Sequence, residues 1–259
     1  MLGALILSAV ATIGLTSRTS WPRLVVEEFP SPARRFLAYA ALTVTLALTV
    51  VMPATRIGEP VPTERLEHVD FPALFLGHAL LLGFLVVWWM LAGFRPLLRF
   101  LHVRTENPLR AIRRGVAAGF AGWAVTMLAM AVVGTLVGLV GGEGAAVAEQ
   151  EEIPGVVRTI VGLSVPQRLA LVLSAGIFEE LFFRSFLQAR TGLLVSSLLF
   201  TASHASYGLP LMLVGVFVVS LVIGRVFSAR GDVVPCIVAH AVFDAIQLFV
   251  VLPAVVEAA

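Results

Sequence analysis

Eight apolar segments follow one another along this chain, at residues 1–16, 36–52, 72–94, 116–140, 168–187, 193–205, 209–227 and 233–251. A helix that crosses the hydrocarbon core of a bilayer needs about 20 such residues. Of the 259 residues, 59% are hydrophobic and 13% charged. A soluble domain is nearer half apolar and a quarter charged. One soluble core cannot hide this excess, so the natural solvent is lipid. In lipid every backbone group must be satisfied within its own segment, which leaves helices. The expected fold is an all-α, multi-pass transmembrane bundle of about seven to eight helices. Segment 1–16 is short, and no basic stretch precedes its apolar run, so a cleaved signal peptide is not expected. No hydrophilic stretch is long enough for a separate soluble domain, and no internal repeat is visible.

Charge gives the orientation. All 18 basic side chains are arginines, and the net charge is only +2. No basic patch alternates with aromatics, so nucleic acid is not an expected partner. Arginine crowds Ser17–Arg35 and Arg95–Arg114 and recurs at Arg184, Arg190, Arg225 and Arg230. The intervening loops at 53–71 and 141–167 are acidic, with Glu59, Glu64, Glu67 and Asp70 in one and Glu143, Glu149, Glu151 and Glu152 in the other. Arginine-rich loops stay cytoplasmic. With one span per gap the signs alternate without a break, so Ser17–Arg35 and Arg95–Arg114 lie inside and the C-terminus outside. The all-arginine composition points to a prokaryotic cell membrane. These arginines orient the chain and are not expected to do chemistry. Trp88 and Trp89 read as core or interfacial anchors. Cys236, the single cysteine, reads as a small buried hydrophobe and excludes a disulfide framework.

The two parts of the chain differ in ionisable content. Residues 1–165 read as membrane helices without a motif. In them His78 stands alone near the start of its span and reads as a satisfied packing or interface residue. Residues 166–252 carry Glu179, Glu180, Arg184, His204, His240 and Asp244 within or beside apolar sequence. A charged side chain at mid-bilayer costs about 2.5–3.5 kcal/mol on insertion scales, so such groups face the bundle interior, pair and mark function. Glu180 and Arg184 are four apart and share a helix face, as do Phe200 and His204, and His240 and Asp244. Glu179 lies about 100° around the helix from Glu180. Three helices thus offer Glu179, His204 and the His240–Asp244 pair to one interior.

A carboxyl group in an apolar site moves towards the range useful for a general base. Glu179 with His204 can activate a water. His240 and Asp244 can hydrogen-bond a developing oxyanion if one of them donates. The set suits amide hydrolysis. Ser203 precedes His204, but neighbouring helix residues point apart, and no serine or cysteine has a fitting base. Glu179, His204 and His240 also form a His₂Glu zinc set with water as a fourth ligand. The same side chains serve a metal-free route, and no cofactor is the expectation. Intramembrane Glu, His and Asp also build proton relays and transporters, and a non-catalytic scaffold or immunity protein is a further reading.

The motifs E-E-x-x-x-R at Glu179–Arg184, F-x-x-x-H at Phe200–His204 and H-x-x-x-N/D at His240–Asp244, in that order, resemble the CPBP (CAAX protease and bacteriocin-processing) intramembrane proteases, the Rce1/Abi family. The resemblance covers roughly residues 166–251. It implies a helical bundle with an intramembrane cavity open towards the cytoplasm. It implies that Glu179 and His204 activate water, that His240 and Asp244 stabilise the oxyanion, and that Glu180 and Arg184, with Phe200, support the site. It implies a membrane-anchored, lipidated or hydrophobic polypeptide as substrate, cut near its end. Ser185 stands where the family usually has glycine, and Asp244 where the prenyl-protein members usually have asparagine.

Overall fold

A computed structural model describes residues 31–57, 71–141, 155–207 and 210–258, with residues 3, 7–10, 12, 28 and 29 before them. Most of segment 1–16 and of the acidic loops lies outside the described residues. Among the described residues the chain is helical, with no strand. The helices are α1 (Pro32–Leu46, running on to Ala54), α2 (Leu76–Leu91, entered through a 3₁₀ turn at Phe71–Phe75), α3 (Leu97–Phe100), α4 (Pro108–Gly141), α5 (Gly155–Gly162), α6 (Val165–Glu180), α7 (Leu193–Ser203), α8 (Pro210–Arg230) and α9 (Val234–Ile246). α6 continues as a π-helix at Leu181–Gln188 and a last turn at Ala189–Thr191, and α9 continues through a π-helix at Gln247–Val251 to Ala258.

Among the described residues five helices are long and apolar enough to span a membrane: Pro32–Ala54, Phe71–Leu91, Pro108–Val140, Leu211–Arg230 and Val234–Ala258. The chain is an integral membrane protein. The α4 span is buried over only 6% of its most apolar window. Its exposed Phe120, Leu128, Leu136 and Leu139 can face nothing but lipid. The inner face of α4 is glycine. A methyl group on Gly115 would meet Val238 Cβ at 2.5 Å and the Pro235 carbonyl at 2.7 Å, and one on Gly119 would meet Val242 Cβ at 2.7 Å and the Ala239 carbonyl at 2.8 Å. This small-xxx-small spacing brings α4 and α9 nearly backbone to backbone. Gly176 does the same for α6, where a methyl group would stand 3.1 Å from the Ile237 carbonyl of α9.

Segment 193–205 is not a full span. α7 has 11 residues, hence about 16 Å of rise, roughly half of a hydrocarbon core of about 30 Å. It starts at Gly192, whose φ of 86° reverses the chain after the 165–191 helix and strains any residue with a Cβ. It ends at His204, which leaves the helix with φ −98° and ψ 2°.

The aromatic core sits between α2 and the π-helical part of the 165–191 helix. Phe186 packs edge-on against Trp88 at 4.7 Å and Phe84 at 4.8 Å, and Phe84 meets Phe182 at 5.4 Å. Trp88 is fully buried, whereas the Trp89 indole N–H donates to the Arg95 carbonyl. Cys236 is buried as expected. A π-helix widens the ring of backbone bonds to i→i+5. Its carbonyls here take side-chain donors: Ser196 Oγ to Phe183 O, Arg190 Nη1 to Phe186 O and Thr191 Oγ1 to Leu187 O.

Candidate active site

The six ionisable side chains singled out from residues 166–252 converge. Glu180 and Arg184 form the base. The Arg184 Nε–H donates to Glu180 Oε2 at 2.9 Å, and both side chains are fully buried. Arg184 Nη2 donates to Ser220 Oγ at 3.1 Å, and its guanidinium lies 5.2 Å from the Phe200 ring centre. The pairing holds although the backbone turns π-helical directly after Glu180. Glu180 also reaches across to α9, where His240 Nδ1 lies 2.8 Å from its Oε1. No motif spacing marks this bond.

Phe200 is the wall shared by the rest. Its ring lies 4.6 Å from that of His204 and 5.9 Å from that of His240. His204 Nδ1 stands 2.8 Å from the Phe200 carbonyl, which can only accept. The proton of a neutral His204 therefore sits on Nδ1, and Nε2 presents a lone pair. Ser203 Oγ is 3.0 Å from the same Nδ1, so these neighbours do not point apart. The reason is that His204 has already left the helix. The Ser203 hydroxyl also donates to the Phe200 carbonyl at 2.7 Å. With the Nδ1 proton aimed at that carbonyl, the imidazole has no lone pair to offer the serine.

Glu179 occupies the centre, with its side chain 15% exposed. Its Oε2 lies 3.9 Å from His204 Nε2 and 4.0 Å from His240 Nε2, and among the described residues this buried oxygen has no hydrogen-bond partner. Its Oε1 lies 3.2 Å from His78 Nε2 of α2. His78 is thus no isolated packing residue, and sequence reading missed its place. A signal existed: a histidine inside an apolar span needs a polar partner. His240 Nε2 is 3.4 Å from Asp244 Oδ2. Since His240 Nδ1–H is committed to Glu180, Nε2 and Asp244 need one shared proton between them to attract rather than repel.

The end of the site towards Arg95–Arg114 is tied down from outside the spans. Asp232 accepts from Thr105 Oγ1 at 2.6 Å, from the Arg104 backbone N–H at 3.3 Å and from the Val234 N–H at 3.3 Å, which starts α9. His102, at φ 54°, closes the turn after α3. Its Nδ1 lies 3.3 Å from the hydroxyl of Ser185, and its carbonyl accepts the Val233 N–H. Burial, then the charges of Arg104 and Arg190, hold the His102 pKa below the ordinary 6.5.

A zinc site would need closer donors than these. Donors around a tetrahedral zinc, with bonds of about 2.0–2.1 Å, stand about 3.4 Å apart. The 3.9 and 4.0 Å separations are wider than that. Among the described residues no group of three His, Cys, Asp or Glu is disposed to hold a metal ion. Glu179, His204 and His240 as they stand do not close on one.

Residues 161–246 match a family model described as type II CAAX prenyl endopeptidase Rce1-like. These helices are similar to that family over about a third of the chain. The match spans all three motifs and supports, at the level of the family, a CAAX-type intramembrane protease. No curated protein and no solved structure matches the chain. His78 of α2 lies outside the Rce1-like segment.

Proposed function

We propose that this protein is an intramembrane endopeptidase in which Glu179 and His204 activate water without a metal. The observation that carries the reading is the position of Glu179 Oε2, without a hydrogen-bond partner among the described residues and about 4 Å from two imidazole Nε2 atoms. A separation of 3.9 Å between two acceptors suits a water that donates one proton to Glu179 and the other to His204. Such a water directs a lone pair outward, at a scissile carbonyl. Attack forms the C–O bond as Glu179 takes a proton. The oxyanion is met by the proton shared between His240 and Asp244. Glu179 then protonates the leaving amine as the C–N bond breaks. Glu180 and Arg184 act by fixing His240 and the helix, and Phe200 by holding both imidazoles.

The substrate is a membrane-anchored, lipidated or hydrophobic polypeptide cut near its end, because a site inside the bilayer meets chains already held there. The protein sits in a prokaryotic cell membrane with the arginine-rich loops cytoplasmic and the C-terminus outside. The Rce1-like match weighs against the transporter and scaffold readings.

The test is cleavage of a prenylated peptide and of a hydrophobic, unprenylated peptide by purified protein in lipid. Glu179→Ala and His204→Ala lower kcat/KM by about 10²-fold or more while the protein still folds. Undiminished cleavage by Glu179→Ala overturns the reading. Activity that exhaustive chelation abolishes and only zinc restores overturns its metal-free part.

A further inference from the structure

We infer that His78 is a positioning residue of the site, fixing the plane in which the Glu179 carboxylate faces the reacting bond. The inference rests on the glutamate-base reading above. Its ground is placement. His78 comes from α2, 101 residues before Glu179, and its Nε2 lies 3.2 Å from Oε1. An ionised carboxylate only accepts, so Nε2 carries the proton in this contact. The imidazole is held edge-on to Phe75 at 6.2 Å and tilted against Phe178 at 6.3 Å. Its Nδ1 is buried and has no hydrogen-bond partner among the described residues, so Glu179 is what the ring is oriented towards.

A lone carboxylate can turn about its last torsion and swing both oxygens out of line with the imidazoles, because that torsion is broad. The His78 contact removes this freedom. With Oε1 occupied, Oε2 is the oxygen directed at His204 and His240. A base held in this way is part-way to a near-attack geometry, and losing the hold lowers turnover without touching substrate binding. The motif-bearing Rce1-like segment therefore does not complete its own site. α2 supplies the orienting group.

Two variants separate positioning from packing. His78→Phe keeps a flat ring and removes the donor. His78→Gln keeps an N–H donor at nearly the same reach. His78→Phe lowers kcat by about 10- to 100-fold with KM within about 2-fold, and His78→Gln recovers most of that loss. Wild-type kcat in His78→Phe, or equal impairment of both variants, overturns the inference. Cleavage that survives in Glu179→Ala overturns the glutamate-base reading instead, so the two failures are distinct. A readout independent of turnover is the His78 Nε2–H resonance of ¹⁵N-histidine-labelled protein in detergent. It moves in Glu179→Ala, and an unmoved signal overturns the contact.

Discussion

The two ends of the helices around the site are packed differently. Every residue of Leu181–Gln188, at the end nearer Arg95–Arg114, is buried, whereas every residue of 241–249, on the far side of His240 along α9, is partly exposed. One end resembles the interior of a globular protein, with close aromatic contacts and a buried ion pair. The other offers mostly apolar walls that the described residues cover only in part. Glu179 and His240 lie at the boundary. Close packing keeps reacting groups in fixed geometry, since packed interiors yield little. Loose packing leaves room for a second chain to approach. A site at the seam has both.

Removing Arg184 tests the packed end hardest. Arg184→Ala leaves the fully buried Glu180 without its cation and costs about 3–5 kcal/mol in unfolding free energy, measured by denaturant titration in mixed micelles. A smaller loss shows that water reaches this end and weakens the contrast. A matched pair comes next. Phe186→Ala, in the aromatic core, costs about 3 kcal/mol or more, and Phe249→Ala, on the open end of α9, costs less than about half of that. Equal losses remove the distinction between the ends. The glycine seam gives a third comparison. Gly119→Ala forces a methyl group to 2.8 Å from the Ala239 carbonyl and costs about 1–3 kcal/mol. Gly134→Ala on the same helix meets only Leu211 Cδ2 at 3.9 Å and stays within about 0.5 kcal/mol of wild type.

The smallest effect is that of His102. Its folded-state pKa is held below 6.5 by burial, so the unfolded chain takes up the proton first. The stability it contributes is full above the unfolded value and declines as pH falls through 6.5 towards the folded one. Thermal midpoints in detergent between pH 8 and pH 5 fall on acidification, and the slope is shallower in His102→Gln. An unchanged slope shows that His102 does not report on the packed end.

The sequence made the membrane class plain, because length and apolar character are local properties. It also carried the three motif faces, because residues four apart share a helix face whatever surrounds them. His204, His240 and Asp244 lie on such faces, and Glu179 stands out as a carboxyl group within apolar sequence. What it hid depends on which helix meets which. The bond from Glu180 to His240 and that from His78 to Glu179 join side chains 60 and 101 residues apart. Nothing local in the sequence marks Gly115 and Gly119 as the residues on which α9 packs. Segment 193–205 read as a span because composition does not show where a helix stops. Its early end at His204 also brought Ser203 beside the imidazole, against the rule for helix neighbours. Ser185, a departure from the usual family residue, has its partner in His102, a loop residue that no motif marks.

Glu179, Glu180 and Asp244 set three carboxyl groups around His240, and one guanidinium, that of Arg184, pairs with Glu180. With Glu180 paired to Arg184 and one proton shared by His240 and Asp244, one carboxylate charge is left over, which disfavours the free carboxylate that closes every polypeptide and favours an ammonium group. If the proposed peptidase reading holds, a chain entering the site does best with its terminus held several residues away, which favours release of a short peptide over removal of single amino acids.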